Sequence, residues 1–132
     1  MKGKKMPLLH IENLTKSYKG KKALDAVTLD FTVGVNALLG ANGSGKSTMM
    51  NIISTALSPT GGAVYYDGRE ICSLGTEYRK VMSVLFQHQP YFPSVTMNDY
   101  MLYNAALKGM SGKDRQAVID NSLKRLNVLD CK

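Results

Sequence analysis

Alternating apolar and polar positions in the first third of the chain predict strands. Residues 8–14, LLHIENL, place apolar side chains at every second or third position and favour a strand, which a polar, basic turn follows at residues 15–22. Residues 24–33, LDAVTLDFTV, alternate with a period of two, the pattern of a half-buried strand. The short run at residues 35–39 is almost entirely apolar and predicts a buried strand.

Helical spacing of apolar residues begins at residue 46 and returns in the last third of the chain. Residues 46–57 predict a helix, which the S-P-T-G-G sequence at 58–62 ends. Its apolar stripe is predicted to lie in the core: Met49, Met50, Ile52 and Ile53. Asp67-Gly68 is a hairpin signal. The remaining predicted elements are two short strand-like runs and two helices: residues 63–66, 81–86, about 97–108 and about 112–127. The apolar face of the last helix is continued by Leu123, Leu126 and Leu129. This mixture predicts an α/β fold with an antiparallel β portion on the N-terminal side.

Composition and charge narrow the class of protein only slightly. The 132 residues are 44% hydrophobic and 20% charged, as expected for one globular domain. The formal net charge of +7 fits polyanionic partners, although a solvated basic surface explains the charge equally simply. Aromatic residues do not interleave with basic ones along strands, so we expect no nucleic-acid partner.

The cysteines and the N-terminus indicate the compartment. Cys72 and Cys131 form no C-x-x-C pattern, and the first ten residues lack the apolar stretch of a signal peptide. No run approaches the roughly 18 apolar residues that a membrane span needs. We therefore expect a cytoplasmic protein that does not itself cross a membrane.

The segment from Gly40 to Ser47, GANGSGKS, fits the phosphate-loop pattern G-x-x-x-x-G-K-[ST]. Its glycines permit backbone angles and close approaches that a Cβ would block. Amide groups then point inward as an anion-binding nest, which the N-terminus of the following helix completes. An apolar run precedes the loop and an apolar-faced helix follows it, as this mechanism requires.

The loop predicts binding of a nucleoside triphosphate, most simply Mg-ATP. Lys46 is expected to reach the β- and γ-phosphates, Ser47 to ligate Mg²⁺, and Thr48 to bond to a phosphate. The predicted binding residues in this segment are Gly40, Asn42, Gly43, Ser44, Gly45, Lys46, Ser47 and Thr48.

Four stretches in this order resemble the nucleotide-binding domain of ATP-binding cassette (ABC) transporters. They are LTKSYKGKKALDAVTLDF, the phosphate loop, SPTGGAVYYDGREI and VLFQHQPYFPSVTMNDY. The resemblance runs from about Leu8 to Asp130. It implies a P-loop NTPase core with an antiparallel β subdomain over about residues 8–96 and the start of a helical subdomain over about 97–132. The phrase GVNALLGANGSGKST is most similar to the exporter-type subgroup.

The resemblance also implies two further site residues. Tyr18 matches the family's aromatic residue that stacks on adenine, although by itself it fits an ordinary exposed tyrosine. Gln87 matches the glutamine that contacts Mg²⁺ and the attacking water, although it also fits a polar strand end. The family's partners are a transmembrane subunit or domain and a second copy of the nucleotide-binding domain, which places the protein at the membrane periphery.

Several of the family's motifs do not occur in these 132 residues. The L-S-G-G-Q signature, the strand that ends in Asp-Glu and the switch histidine are missing. We therefore expect a truncated domain. ATP hydrolysis needs water positioning, a metal clamp and charge stabilisation together. The hypothesis is that the parent protein is a transport ATPase, whereas this chain binds nucleotide weakly and hydrolyses it little or not at all.

Other readings stay open at this point. A GTPase would carry an N-K-x-D motif, which is missing, and a small kinase would need acceptor and lid residues that we cannot identify. A non-transport ABC ATPase and an inert, truncated interaction remnant also fit the sequence.

Overall fold

The computed structural model describes residues 8–87, 92–110, 112 and 114–128. This part of the chain divides between Met82 and Ser83 into two compact units. The first unit holds the four strands and three helices: β1 (Leu9–Tyr18), β2 (Lys21–Phe31), α1 (Lys46–Ile53), β3 (Gly61–Tyr66), β4 (Arg69–Glu70), α2 (Ile71–Leu74) and α3 (Thr76–Val81). The second unit holds α4 (Met97–Leu107) and α5 (Asp114–Arg125).

The first unit is built on an antiparallel sheet with the strand order β2-β1-β3-β4. Strand β1 is longer than predicted, because Ser17 and Tyr18 pair with Lys22 and Lys21 of β2. The turn between these strands is therefore limited to Lys19-Gly20, whose φ angles are 45° and 83°. The predicted hairpin at Asp67-Gly68 is confirmed, and both residues have positive φ.

One face of the sheet packs on α1 and on the short helices that follow β4. The buried side chains of this core come from the strands and from each of the three helices: Ile11, Leu14, Leu24, Met49, Ile52, Val64, Ile71 and Tyr78. The hydroxyl of Tyr78 donates a hydrogen bond to the Ile53 carbonyl at 3.0 Å. Burial raises the pKa of Tyr78.

Helix α1 is shorter than predicted. It ends at Ile53, and Thr55 has a φ of 61°, a left-handed conformation that a helix cannot continue. Met50, which the sequence pattern assigned to the core, is 46% exposed, whereas Met49 and Ile52 are buried. The apolar stripe of this helix is therefore narrower than the sequence suggested.

Two predicted strands are wrong in the described residues. Residues 35–39 form no strand, and Val35 and Leu39 are 104% and 89% exposed. In the run at 81–86, Val81 belongs to α3 and the remaining residues form no strand. A buried strand needs neighbours that accept and donate its backbone hydrogen bonds, and the four-strand sheet does not extend to either run. The apolar pattern alone does not supply such neighbours.

Helices α2 and α3 were not predicted. They have four and six residues, which is too short for a helical period to stand out in the sequence. Their buried residues, Ile71 and Tyr78, complete the core of the first unit.

The second unit is a pair of helices close to the predicted bounds. Thr96 caps α4, where its hydroxyl accepts a hydrogen bond from the Asp99 backbone N–H at 3.1 Å. Ala105, Ile119 and Leu123 form the buried contact between the two helices. Leu126, which was predicted to extend this apolar face, is exposed, and Leu129 lies outside the described residues. Within the described ranges, no helix is long and apolar enough to cross a membrane.

Removing the Tyr78 hydroxyl is expected to destabilise the first unit. Tyr78→Phe leaves the Ile53 carbonyl without this donor and should lower the free energy of unfolding by about 1 kcal/mol at neutral pH. Because the folded state raises the pKa of Tyr78, this tyrosine stabilises the fold below about pH 10. That contribution is lost as the pH rises through the folded pKa.

Urea unfolding of the two proteins at neutral and alkaline pH tests this expectation. The unaltered protein should lose more stability above about pH 10 than Tyr78→Phe does. Tyr103→Phe is the matched control, since Tyr103 is 62% exposed on α4. An equal loss in the control would contradict the assigned role of the buried hydroxyl.

Candidate functional site

The candidate site begins where helix α1 begins. Gly45 occupies the N-cap position with φ 91° and ψ 1°, and its carbonyl accepts a hydrogen bond from the Met49 N–H at 2.9 Å. Among the residues that the structure describes, no side chain caps this end, and the first turn of α1 carries no acidic residue. The N–H groups of the first turn therefore keep their capacity to bind an external acceptor, and the helix dipole favours an anion there.

Strand β2 fixes the position of this helix start. A Cβ on Gly45 would lie 2.4 Å from the Ala23 carbonyl oxygen and 2.8 Å from Cδ2 of Leu24. Any larger residue would have to push the loop away from the strand. Glycine at this position therefore permits both the positive φ and the close approach.

The loop between Gly40 and Gly45 projects from this anchor into solvent. A turn closes it, in which the Ser44 N–H donates to the Ala41 carbonyl at 3.2 Å. Gly43 has a φ of 81°, and a Cβ there would meet open space. At Gly40, a Cβ would lie 2.8 Å from Oγ of Ser44. Asn42 lies in the exposed part of the loop.

Lys46 turns its ammonium group back into this loop. Its Nζ donates hydrogen bonds to the carbonyl oxygens of Gly40 at 2.6 Å and Ala41 at 2.7 Å, and lies 3.2 Å from Oγ of Ser44. A positive charge is thereby held at the loop, next to the uncapped helix start. Phosphate oxygens are stronger acceptors for an ammonium than neutral carbonyls are.

These groups fit the phosphates of a nucleotide and a magnesium ion. Ser47 and Thr48 lie in the first turn of α1, Ser47 exposed and Thr48 half-buried. The predicted loop residues and the two hydroxyl residues thus lie along one continuous segment of the chain. In the part of the chain that the structure describes, no three His, Cys, Asp or Glu side chains gather as a metal cluster.

Tyr18 lies at the end of β1, on the same hairpin that supports Gly45. It pairs with Lys21 of β2, and Lys16 pairs with Leu24, the residue whose side chain approaches Gly45. As a whole residue, Tyr18 is 47% exposed. The hairpin therefore carries both the predicted base platform and the support of the predicted phosphate loop.

The turn after α1 is tied to the same strand by three hydrogen bonds. Nζ of Lys16 donates to the Ser58 carbonyl at 2.7 Å. The Thr60 N–H donates to the Thr15 carbonyl at 2.8 Å, and Oγ1 of Thr60 accepts from the Ser17 N–H at 3.1 Å. The S-P-T turn thus fastens the segment that follows α1 to β1. Sequence reasoning used this turn only as a helix stop and a family marker.

Gln87 belongs to the second unit, where it is exposed. Its predicted role beside the phosphate loop therefore stays a prediction. His88 and Gln89, its neighbours in the sequence, lie outside the described residues. Cys72 is an exposed free thiol on α2, and Cys131 also lies outside the described residues.

Comparison with known proteins identifies the family. A model of the ABC transporter family matches residues 24–132. Putrescine transport ATP-binding protein PotG of Escherichia coli (strain K12) is 37% identical over 98 residues, which cover 74% of this chain and 26% of PotG. Phosphate import ATP-binding protein PstB 1 of Streptococcus agalactiae serotype III (strain NEM316) is 34% identical over 134 residues, covering 94% of this chain and 53% of PstB 1. The chain belongs to the ABC transporter family.

A solved structure supports the same assignment at the level of the fold. The structure of cbiO1 from Clostridium perfringens, described as part of the ABC transporter complex cbiONQ, superposes with a TM-score of 0.75 at 25% identity. The match covers 97% of this chain and 53% of cbiO1. The predicted P-loop NTPase fold and the ATP-binding domain of ABC transporters are thus confirmed. The chain spans about half the length of cbiO1 and of PstB 1.

Substituting Gly45 is expected to cost more stability than substituting Gly43. Both residues have positive φ, 91° and 81°, so alanine costs about 1–2 kcal/mol of strain at either position. Only at Gly45 does the new Cβ meet backbone, and this contact should add about 1–3 kcal/mol. Thermal and urea unfolding of Gly45→Ala and Gly43→Ala measure the difference. Equal destabilisation would show that the loop does not depend on β2.

Proposed function

We propose that residues 40–48 bind the phosphates of a nucleoside triphosphate, supplied as Mg-ATP. The observation that carries this proposal is the position of the Lys46 ammonium. It is held by Gly40, Ala41 and Ser44 beside the uncapped start of α1. Two positive features, a side-chain charge and a helix N-terminus, therefore converge on one exposed loop.

The residues of the loop have separate roles in this proposal. Lys46 exchanges its carbonyl partners for oxygens of the β- and γ-phosphates. Ser44 and Asn42, with the glycines, offer the loop's backbone N–H groups. Ser47 supplies its hydroxyl to Mg²⁺, and Thr48 bonds to a phosphate. When bound, the magnesium ion neutralises phosphate charge.

Two residues outside the loop have separately proposed roles. Tyr18 receives the adenine ring on its exposed face, which its position at the end of β1 and its 47% exposure support. Gln87 contacts Mg²⁺ and the attacking water in the parent protein, and this role rests on the family's motif alone.

We further propose that the parent protein is the nucleotide-binding subunit or domain of a transporter. The names of PotG and PstB 1 describe ATP-binding proteins of transport systems, and family membership supports the same role here. A transmembrane partner and a second nucleotide-binding domain follow from this proposal, with the chain at the cytoplasmic membrane periphery. The proposed division is a β subdomain with P-loop core to about residue 96 and a helical subdomain beyond it. The exporter-type resemblance stays a prediction, since the relatives include an import protein.

Titration with a fluorescent ATP analogue, with and without Mg²⁺, tests the binding proposal. We expect saturable binding that Mg²⁺ strengthens. Lys46→Ala removes charge-assisted hydrogen bonds of about 1.5–3 kcal/mol and should weaken binding by about 10- to 150-fold. Tyr18→Ala should weaken it by about 5- to 150-fold, as for a stacked base.

Lys80→Ala is the matched control for this titration, since it removes the same charge from an exposed position on α3. The affinity of Lys80→Ala for the analogue should stay within about twofold of that of the unaltered chain. Lys80 lies on α3, outside the proposed loop site, and salt screens an exposed charge. An equal loss of affinity in Lys80→Ala and Lys46→Ala would show that the analogue is held only by nonspecific attraction to the basic chain, and it would contradict the proposed site. If the folded chain did not bind the ATP analogue, the result would support the alternative that the chain is an inert, truncated remnant.

Hydrolysis of ATP needs groups beyond those that bind the phosphates. Within residues 1–132, the sequence offers no Asp-Glu strand end to supply a catalytic base. We therefore propose that this chain releases phosphate from Mg-ATP at no more than a trace rate. A steady phosphate release that disappears in Lys46→Ala would contradict this proposal.

A further inference from the structure

Lys16 connects two parts of the proposed site that the sequence does not link. Its Nζ lies 5.4 Å from the centroid of the Tyr18 ring, within the range of a cation–π interaction. The same atom donates a hydrogen bond of 2.7 Å to the Ser58 carbonyl. The ammonium is therefore held between the aromatic ring and the turn that follows α1.

These contacts constrain the Tyr18 ring from one side. The ring lies near the end of β1, where a free tyrosine side chain would sample several rotamers. The ammonium attracts one face of the ring, and its bond to the turn limits where the ammonium itself can lie. Tyr18 as a whole residue is 47% exposed, which leaves surface for a second planar group.

The turn that accepts the Lys16 hydrogen bond is itself held against β1 by further hydrogen bonds. Thr60, two residues after Ser58, forms two further hydrogen bonds with Thr15 and Ser17 of β1. Lys16 lies between these two residues in the strand and pairs with the buried Leu24. Neighbouring contacts thus hold both ends of the Lys16 side chain, its backbone in the sheet and its ammonium on the turn.

We propose that Lys16 is a positioning residue for the nucleotide base. It holds the Tyr18 ring in the orientation that receives the base, and it acts through that ring without touching the phosphates. The inference rests on the proposed binding of nucleotide at Tyr18 and the loop. It adds a residue 30 positions before Lys46 in the sequence that sets affinity for the base part of the ligand.

Comparison of ATP with inorganic tripolyphosphate, both with Mg²⁺, separates base binding from phosphate binding. Isothermal titration of Lys16→Met, which keeps most of the apolar side chain, should show ATP binding weakened by about two- to fivefold, the range of an exposed cation–π interaction. Tripolyphosphate has no base, so its affinity should change no more than in Lys21→Met. Lys21 is the matched control, because it is exposed and pairs with Tyr18 across the hairpin.

A double-mutant cycle shows whether Lys16 acts through Tyr18. In a Tyr18→Ala background, Lys16→Met should have no further effect on ATP affinity, since the ring it positions is gone. Lys16→Arg should restore most of the affinity, because a guanidinium can also donate to the turn and stack on the ring.

The outcomes distinguish this inference from the proposed function. Equal weakening of ATP and tripolyphosphate in Lys16→Met, beyond that in Lys21→Met, would show a structural role and overturn the inference. So would an unchanged ATP affinity, or a full effect in the Tyr18→Ala background. If the folded, unaltered chain bound neither ligand, the proposed function would itself be wrong and this inference would be overturned with it.

Discussion

The close approach of Gly45 to strand β2 is the constraint on which the candidate site depends. With 2.4 Å between a would-be Cβ and the Ala23 carbonyl, the loop touches the sheet through bare backbone. The neighbouring contact with Leu24 connects the loop to the buried core, because Leu24 is itself part of that core. The start of α1, and with it Lys46, therefore takes its position from the sheet. Gly40, Ala41 and Ser44 then hold the ammonium group of Lys46.

One hairpin holds helix α1 at both ends. The N-terminal end contacts β2 through Gly45, and the turn after the C-terminal end bonds to β1 through Ser58 and Thr60. Because β1 and β2 pair along most of their length, the two attachments are parts of one antiparallel pair. A proposed phosphate site at one end and a proposed base platform near the other then share a single support. Relative movement of the two would require the hairpin to distort.

Local patterns in the sequence predicted the start of helix α1 better than they predicted the extent of the sheet. The loop from Gly40 to Ser47 is specified by neighbouring residues, and the helix that follows begins at Lys46, as the pattern predicted. The binding roles of the loop residues stay predictions. The run at 35–39 failed for a physical reason. An apolar composition indicates that a segment can be buried, but a strand also needs hydrogen-bonding neighbours. No local pattern contains that information.

Contacts between residues that are distant in the sequence could not be predicted from local patterns either. Lys16 and Ser58 lie 42 positions apart, and a lysine in a basic segment gives no sign that its ammonium will meet a particular carbonyl. The order of motifs indicated the ABC transporter family, and the family match over residues 24–132 confirms it. Tyr18 lies outside the matched residues, and its role stays a prediction. The order of motifs indicates which segments belong to the family pattern. It does not indicate which atoms of those segments contact each other. Only the register of β1 against β2 and β3 brings these atoms together.

The hydrogen bonds of Lys46 bear directly on the anion binding proposed for this loop. Its ammonium already has two carbonyl partners and a nearby hydroxyl, so a ligand must replace neutral acceptors that are close and well placed. A neutral ligand offers acceptors of similar strength and gains little from the exchange. A polyphosphate offers negatively charged oxygens, which attract an ammonium more strongly than neutral acceptors do, and it also meets the uncapped start of α1. In the proposed function, competition with the loop's own carbonyls therefore favours multiply charged ligands over neutral ones.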